Sequence, residues 1–241
     1  HCGERSSWRQ PDEFGLSNAQ RISRAALVPV FSGRKGLVMA KLYFRYGAMN
    51  SGKSTALMQV AHNYEERGMR VLVLKPSLDT KGGPLLVSRL GVTRPVDFCI
   101  SPEMDVLEIV RQSSTSASPL SCVLCDESQF FTPAQVEQLF FVAVGLDIPV
   151  ICYGLRTDFL LHGFAGATRL LELAHTIEEM KTICACGRKA CCNARKVNGK
   201  FVFEGSQVAI DQTENVSYES LCAQCYLEKR NSYFSQAAQV K

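Results

Sequence analysis

No uninterrupted apolar stretch in these 241 residues approaches the ~20 needed to cross a bilayer, so no membrane partner is expected. Charge of one sign is also scarce. The chain carries 27 basic residues against 23 acidic ones, a net +4, with no long basic run, which leaves nucleic acid without its electrostatic footprint. Histidine is sparse too: His62, His162 and His175 stand apart from one another, and each reads as a surface or satisfied side chain rather than a ligand. Residues 1–38 show no sustained apolar period. They read as a disordered extension whose deletion should leave activity and melting temperature nearly unchanged, because they offer little surface to bury. Arg9, Arg21, Arg24, Arg34 and Lys35 suggest a targeting segment, but Glu4, Asp12 and Glu13 weaken that reading, and Met39 looks like a natural start.

What the sequence does contain is enough apolar residue, 46%, for one full core and a smaller appended unit. Its organising stretch is Gly47-Ala48-Met49-Asn50-Ser51-Gly52-Lys53-Ser54, which fits the phosphate-binding pattern G-x-x-x-x-G-K-[ST] at every fixed position. Lys41 to Tyr46 reads as a strand before it. Leu57, Val60, Ala61 and Tyr64 follow at helical spacing up to Gly68. In that context loop N–H groups and a helix N-terminus converge on one point where a triphosphate can sit. Lys53 would reach the β- and γ-phosphates and Ser54 would ligate Mg²⁺. Arg70 to Lys75, ended by Pro76, reads as a buried strand, so strand, helix and strand form a βαβ unit and imply a parallel sheet.

Farther along, Ser77 to Pro95 reads as loop, and Ser101-Pro102-Glu103 as the start of a short helix through about Arg111. Leu120 to Cys125 is a mostly apolar strand ending in Asp126-Glu127, the place where nucleotide-binding chains of this kind keep a second Mg²⁺ carboxylate. Asp126 would hold the metal, and Glu127 would take a proton from an attacking oxygen. A helix from Thr132-Pro133, a strand at Pro149 to Tyr153, a helix near Ala167 to Leu173 and a strand-like Thr176 to Thr182 complete the pattern. These motifs leave the attacking oxygen open: water would make an ATPase, a substrate hydroxyl a kinase.

Of 11 cysteines, six lie between Cys184 and Cys225. Cys184-Ala185-Cys186 and Cys222-Ala223-Gln224-Cys225 are 36 positions apart (222 minus 186) and read as a four-thiolate zinc site on two knuckles. Cys191 and Cys192 compete as ligands, and buried structural thiols are the simpler alternative. Metal ligation beside a Mg-nucleotide motif points to a reducing cytosol rather than a disulfide framework. The expected architecture is α/β: a P-loop, RecA-like parallel sheet flanked by helices over 39–180, a zinc-knuckle lasso domain over 181–230, and a flexible tail over 231–241.

Several runs resemble the thymidine kinases of the compact, zinc-bearing P-loop class, above all their bacterial members, which share the C-x-C-G form. They are Lys41 to Thr55, Asp126-Glu127-Ser128-Gln129-Phe130, Tyr153-Gly154-Leu155-Arg156-Thr157-Asp158-Phe159 and Lys181 to Ala190. The resemblance spans about residues 39–230. It implies transfer of the ATP γ-phosphate to the 5′-hydroxyl of thymidine or deoxyuridine, with Glu127 as base and residues 47–54, Asp126 and Gln129 on the nucleotide. It further implies Met49 under the sugar, Phe130, Leu155, Phe159 and Phe164 as pocket walls, and Tyr218 as the lasso tyrosine. A cytoplasmic homotetramer inhibited by thymidine triphosphate is also implied. Aromatic residues at such spacings are otherwise more often core than pocket. Two departures stand out: Leu160-Leu161-His162 where the family usually carries a basic residue, and Thr80-Lys81 where it usually has an arginine, which replaces a bidentate fork with a point charge. The alternatives are an ATPase module whose zinc knuckle docks a partner, and a nucleotide-gated scaffold.

Overall fold

The apolar run Arg70 to Pro76 is the middle of the molecule's logic: it is too continuous for a half-exposed strand and is buried on both faces. The computed structural model describes residues 39–77, 85–207 and 215–239. The expectations for residues 1–38, for Thr80-Lys81 and for the tip of the tail lie outside these. In chain order the elements begin β1 (Leu42–Tyr46), α1 (Lys53–Glu65), β2 (Arg70–Pro76), β3 (Leu85–Val87), β4 (Thr93–Pro95), β5 (Phe98–Ile100), α2 (Val106–Ser113) and β6 (Leu120–Cys125). A 3-10 turn (Ser128–Phe130) leads to α3 (Pro133–Gly145), β7 (Val150–Gly154), α4 (Ala165–Leu173) and β8 (Thr176–Glu179). The cysteine-bearing part holds β9 (Thr182–Ile183), β10 (Lys189–Ala190), β11 (Cys192–Val197), β12 (Lys200–Val202), β13 (Val216–Leu221) and α5 (Ala223–Gln239).

Six strands form one all-parallel sheet in the order β5-β2-β6-β7-β1-β8. Strand alternation deals its side chains to two cores. Leu72, Leu74, Val123 and Cys125 face one way with α2, α3 and α4, whereas Val71, Val73, Cys122 and Leu124 face Leu57, Met58 and Ala61 of α1. Helices thus cover both faces, the arrangement that a parallel sheet of buried strands requires. In such sheets ligands bind beyond the carboxyl ends of the strands, and both chemical motifs sit there: the phosphate loop after β1 and Asp126-Glu127 after β6. No helix among the described residues is long and apolar enough to cross a membrane.

Three expectations change. The loop expected from Ser77 to Pro95 contains an antiparallel pair, β3 with β4, anchored by fully buried Leu86; three-residue strands are too short to show alternation in a sequence. The short helix starts later than Ser101. The Ser101 carbonyl accepts from Met104 N in a turn and from the Gln135 amide at 2.7 Å, and Asp105 is the cap, its carboxylate accepting from Glu108 N. The tail expected from 231 onward is helix to Gln239, a continuation of α5. By contrast, Thr132 and Gln135 close a reciprocal capping box at the start of α3, and Gly68 ends α1 with a left-handed φ of 70°.

One close approach ties the fold to the site. A Cβ on Gly166, in the first turn of α4, would lie 2.5 Å from Phe131 O, 2.8 Å from Gln129 O and 2.9 Å from Ser128 O, all backbone atoms. Gly166→Ala should therefore destabilise the protein by about 1–3 kcal/mol and also lower turnover, because the turn it displaces follows Glu127. A melting temperature and turnover both unchanged would show that the contact is not made.

Candidate active site

The phosphate loop leaves β1 and enters α1 through Gly52, whose φ of 79° and ψ of 18° lie in the left-handed region that suits glycine. Lys53 is buried, with its ammonium donating to the carbonyls of Ala48 at 3.0 Å and Gly47 at 3.4 Å. Burial lowers its pKa, while the carboxylates of Glu127 and Asp126 pull the other way. Ser54 Oγ lies 3.0 Å from Asp126 Oδ2, so the two groups read from separate motifs meet across the sheet.

Asp126 is almost wholly buried, and its other carboxylate oxygen has no hydrogen-bond partner. Burial and the neighbouring Glu127 charge raise its pKa to about 7. A buried carboxyl oxygen without a donor, beside a serine hydroxyl, fits a hard dication that accepts oxygen ligands and favours the ionised form. Ser54 and Asp126 are the residues that would hold Mg²⁺, which when bound would offset charge on the phosphates.

Glu127 adopts φ 46° and ψ 39°, an uncommon conformation for a residue with a side chain, and it caps the 3-10 turn that follows. Its carboxylate accepts from the Gln129 amide at 2.6 Å, while the Gln129 carbonyl oxygen accepts from Leu155 N at 2.9 Å. Gln129, expected on the nucleotide, is thus buried and engaged at both ends, linking the carboxylate to the end of β7.

The expected pocket walls divide. Leu155 and Phe164 belong to the main core, with Met49 and Phe130 packed on its edge, and the Phe130 and Phe164 rings meet edge to face at 5.5 Å. Phe159 lies elsewhere, 1% exposed beneath the Arg195 guanidinium at 3.7 Å, with Tyr226 donating to its carbonyl. Tyr218 is half-buried, and its hydroxyl accepts from Arg195 Nε at 3.1 Å. Leu160, Leu161 and His162 form a tight turn pinned by Asp158, which accepts from Leu160 N and His162 N, each at 2.8 Å. The histidines behave as expected where contacts are seen: His175 Nδ1 accepts from Leu42 N, and His62 pairs with Glu66 on the surface.

Cys184, Cys186, Cys222 and Cys225 bring their sulfurs within 4.8 Å of one another. Tetrahedral zinc with Zn–S bonds of ~2.3 Å would set sulfurs roughly 3.8 Å apart, and Cys186 and Cys222 are already at 3.6 Å. Backbone N–H groups of Cys186 and Cys222 draw the Cys184 thiol down to about 7, toward the thiolate that ligation needs. Cys191 and Cys192, 3.7 Å apart, face each other outside this cluster. The residues present fit a closed zinc site.

Sequence reasoning did not single out Asn193, Arg195 or Ser220, all buried against the site. The signal was available as period-two spacing, Asn193 with Arg195 and Tyr218 with Ser220, on two segments that pair as strands.

The thymidine kinase family model matches residues 40–226. A thymidine kinase of Rhodopirellula baltica is 48% identical over 187 residues, covering 76% of this chain and 86% of the relative. One of Shewanella oneidensis is 45% identical over 79% of this chain and 98% of its own length, and one of Ruegeria pomeroyi 44% over 79% and 95%. The matched span begins ahead of β1, takes in the phosphate loop and extends past the last cysteine of the cluster, so this chain belongs to the thymidine kinase family.

Proposed function

We propose that the protein transfers the γ-phosphoryl group of ATP to the 5′-hydroxyl of thymidine, and of deoxyuridine, in nucleotide salvage. The observation that carries this is the setting of Glu127. Its carboxylate is oriented by Gln129 at the tip of β6, next to Asp126 and within electrostatic reach of Lys53. The family resemblance assigns Phe130, Phe164 and Leu155, which belong to or pack on the main core, to the walls that would take a flat pyrimidine. In the step itself the 5′-oxygen attacks the γ-phosphorus and the bond from that phosphorus to the β–γ bridging oxygen breaks. The hydroxyl proton passes to Glu127, and ADP leaves.

Residues 47–54 hold the triphosphate, Ser54 and Asp126 the Mg²⁺, and Met49 and Tyr218 the nucleoside. Cys184, Cys186, Cys222 and Cys225 hold a zinc ion that fixes the segment around Tyr218. The family resemblance extends the proposal to a cytoplasmic homotetramer inhibited by thymidine triphosphate.

The experiment is label transfer from γ-labelled ATP. Label should appear on thymidine 5′-monophosphate and, with deoxyuridine, on its monophosphate. Label found only as inorganic phosphate, whether or not nucleoside is present, would overturn the proposal.

A further inference from the structure

Strands β11 and β13 pair antiparallel and turn one row of side chains toward both halves of the site. Asn193 stands directly opposite Ser220, and two residues along, on the same face, Arg195 stands opposite Tyr218. The first pair holds both backbone polar groups of Met49 in the phosphate loop. Asn193 Oδ1 accepts from Met49 N at 2.7 Å, and the Ser220 hydroxyl donates to the Met49 carbonyl. The same Asn193 side chain donates from Nδ2 to the Thr157 carbonyl at 3.2 Å. Thr157 lies on the segment after β7 that carries Leu155 and Phe159, and the second pair sits on that segment through Arg195 over the Phe159 ring.

We propose that Asn193 is a positioning residue that couples the two substrates, so that ATP and thymidine each bind more tightly when the other is bound. The inference rests on the assignment of residues 47–54 to ATP and of the segment around 155–164 to the nucleoside. Asn193 is only 4% exposed, and its acceptor and donor are each committed to a different loop. A buried amide that loses either partner keeps an unsatisfied polar group. Displacing one loop is therefore transmitted to the other rather than absorbed by water. Cys222 of the four-cysteine cluster lies two positions after Ser220, so the strand that carries Ser220 leads directly into that cluster. A ligand that favours the bound arrangement of one loop favours that of the other, and the coupling must be reciprocal.

The test is the dissociation constant of a non-hydrolysable ATP analogue, measured on the full chain with and without saturating thymidine. In the unsubstituted protein thymidine should tighten the analogue by about fivefold or more, the lower range of usual couplings. In Asn193→Leu the ratio should fall to about one while each ligand still binds alone. Asn193→Asp keeps the acceptor for Met49 N but loses the donor toward Thr157. Its ratio should also collapse, in a protein whose melting transition confirms the fold if the leucine variant does not fold. A ratio of one in the unsubstituted protein, or a ratio retained in the aspartate variant, overturns the coupling. A protein that binds the analogue but no thymidine fails the substrate assignment itself, and the inference falls with it. One that binds both ligands independently fails the coupling alone.

Discussion

Glu127→Gln is expected to lose about 10²–10⁴-fold in turnover, the range for a removed general base, with ATP affinity close to unchanged. The substitution preserves size and leaves an oxygen able to accept from the Gln129 amide, which now lies 2.6 Å from the carboxylate. The left-handed backbone of Glu127 and the 3-10 turn behind it should stay in place, because Leu155 N still holds Gln129 from the other end. The phosphate loop is untouched. Only the proposed proton acceptor is gone. Turnover from initial rates, beside an ATP dissociation constant measured on the same preparation, checks this. Near-normal turnover would send the search for the base elsewhere.

Cys222→Ser is expected to release the metal and lower kcat/KM for thymidine on the order of 10²-fold, as small misplacements of binding groups do. Tyr218 is four residues before Cys222 and Ser220 two residues before it, both on β13, which ends at Leu221 just before the cysteine. Loss of the ligand would free the end of a strand that reaches the segment proposed to take the nucleoside through Tyr218 and Arg195, and the phosphate loop only through Ser220. ATP affinity should therefore suffer less than thymidine affinity. Asn193 stays on the partner strand with its contact to Met49. Elemental analysis should give one zinc per chain in the unsubstituted protein, and replacing Cys191 and Cys192 together with Ser should leave that content alone. Less than about half a zinc per chain under metal-replete expression would contradict the four-thiolate site.

The parallel sheet was legible because its strands are buried runs and its helices have marked starts. Thr132-Pro133 and Gly68 behave as a cap and a stop in the structure as they do in the pattern. The contact of Ser54 with Asp126 was legible as well, since each belongs to a motif whose pattern calls for the same Mg²⁺. The gathering of the four cysteine sulfurs followed from their spacing. What escaped was structure made by tertiary contact. The short helix before β6 took Asp105 as its cap because Gln135, from a helix thirty residues on, occupies the Ser101 and Met104 carbonyls. The β11–β13 sheet escaped although Asn198-Gly199, both left-handed at φ 51° and 80°, is a strong hairpin signal between β11 and β12. Phe159 shows the ambiguity of aromatics: its spacing suits a pocket wall, and Arg195, unseen in one dimension, covers its ring.

The most direct measurement of the central claim is ADP release by the purified protein with saturating ATP and Mg²⁺, with thymidine present and absent. A base that acts on a nucleoside hydroxyl should give ADP close to background without thymidine and a rate that saturates with thymidine. Each ADP should be matched by one thymidine 5′-monophosphate. ADP release at the same rate in both conditions would mean that Glu127 activates water, and that the nucleoside is not the acceptor.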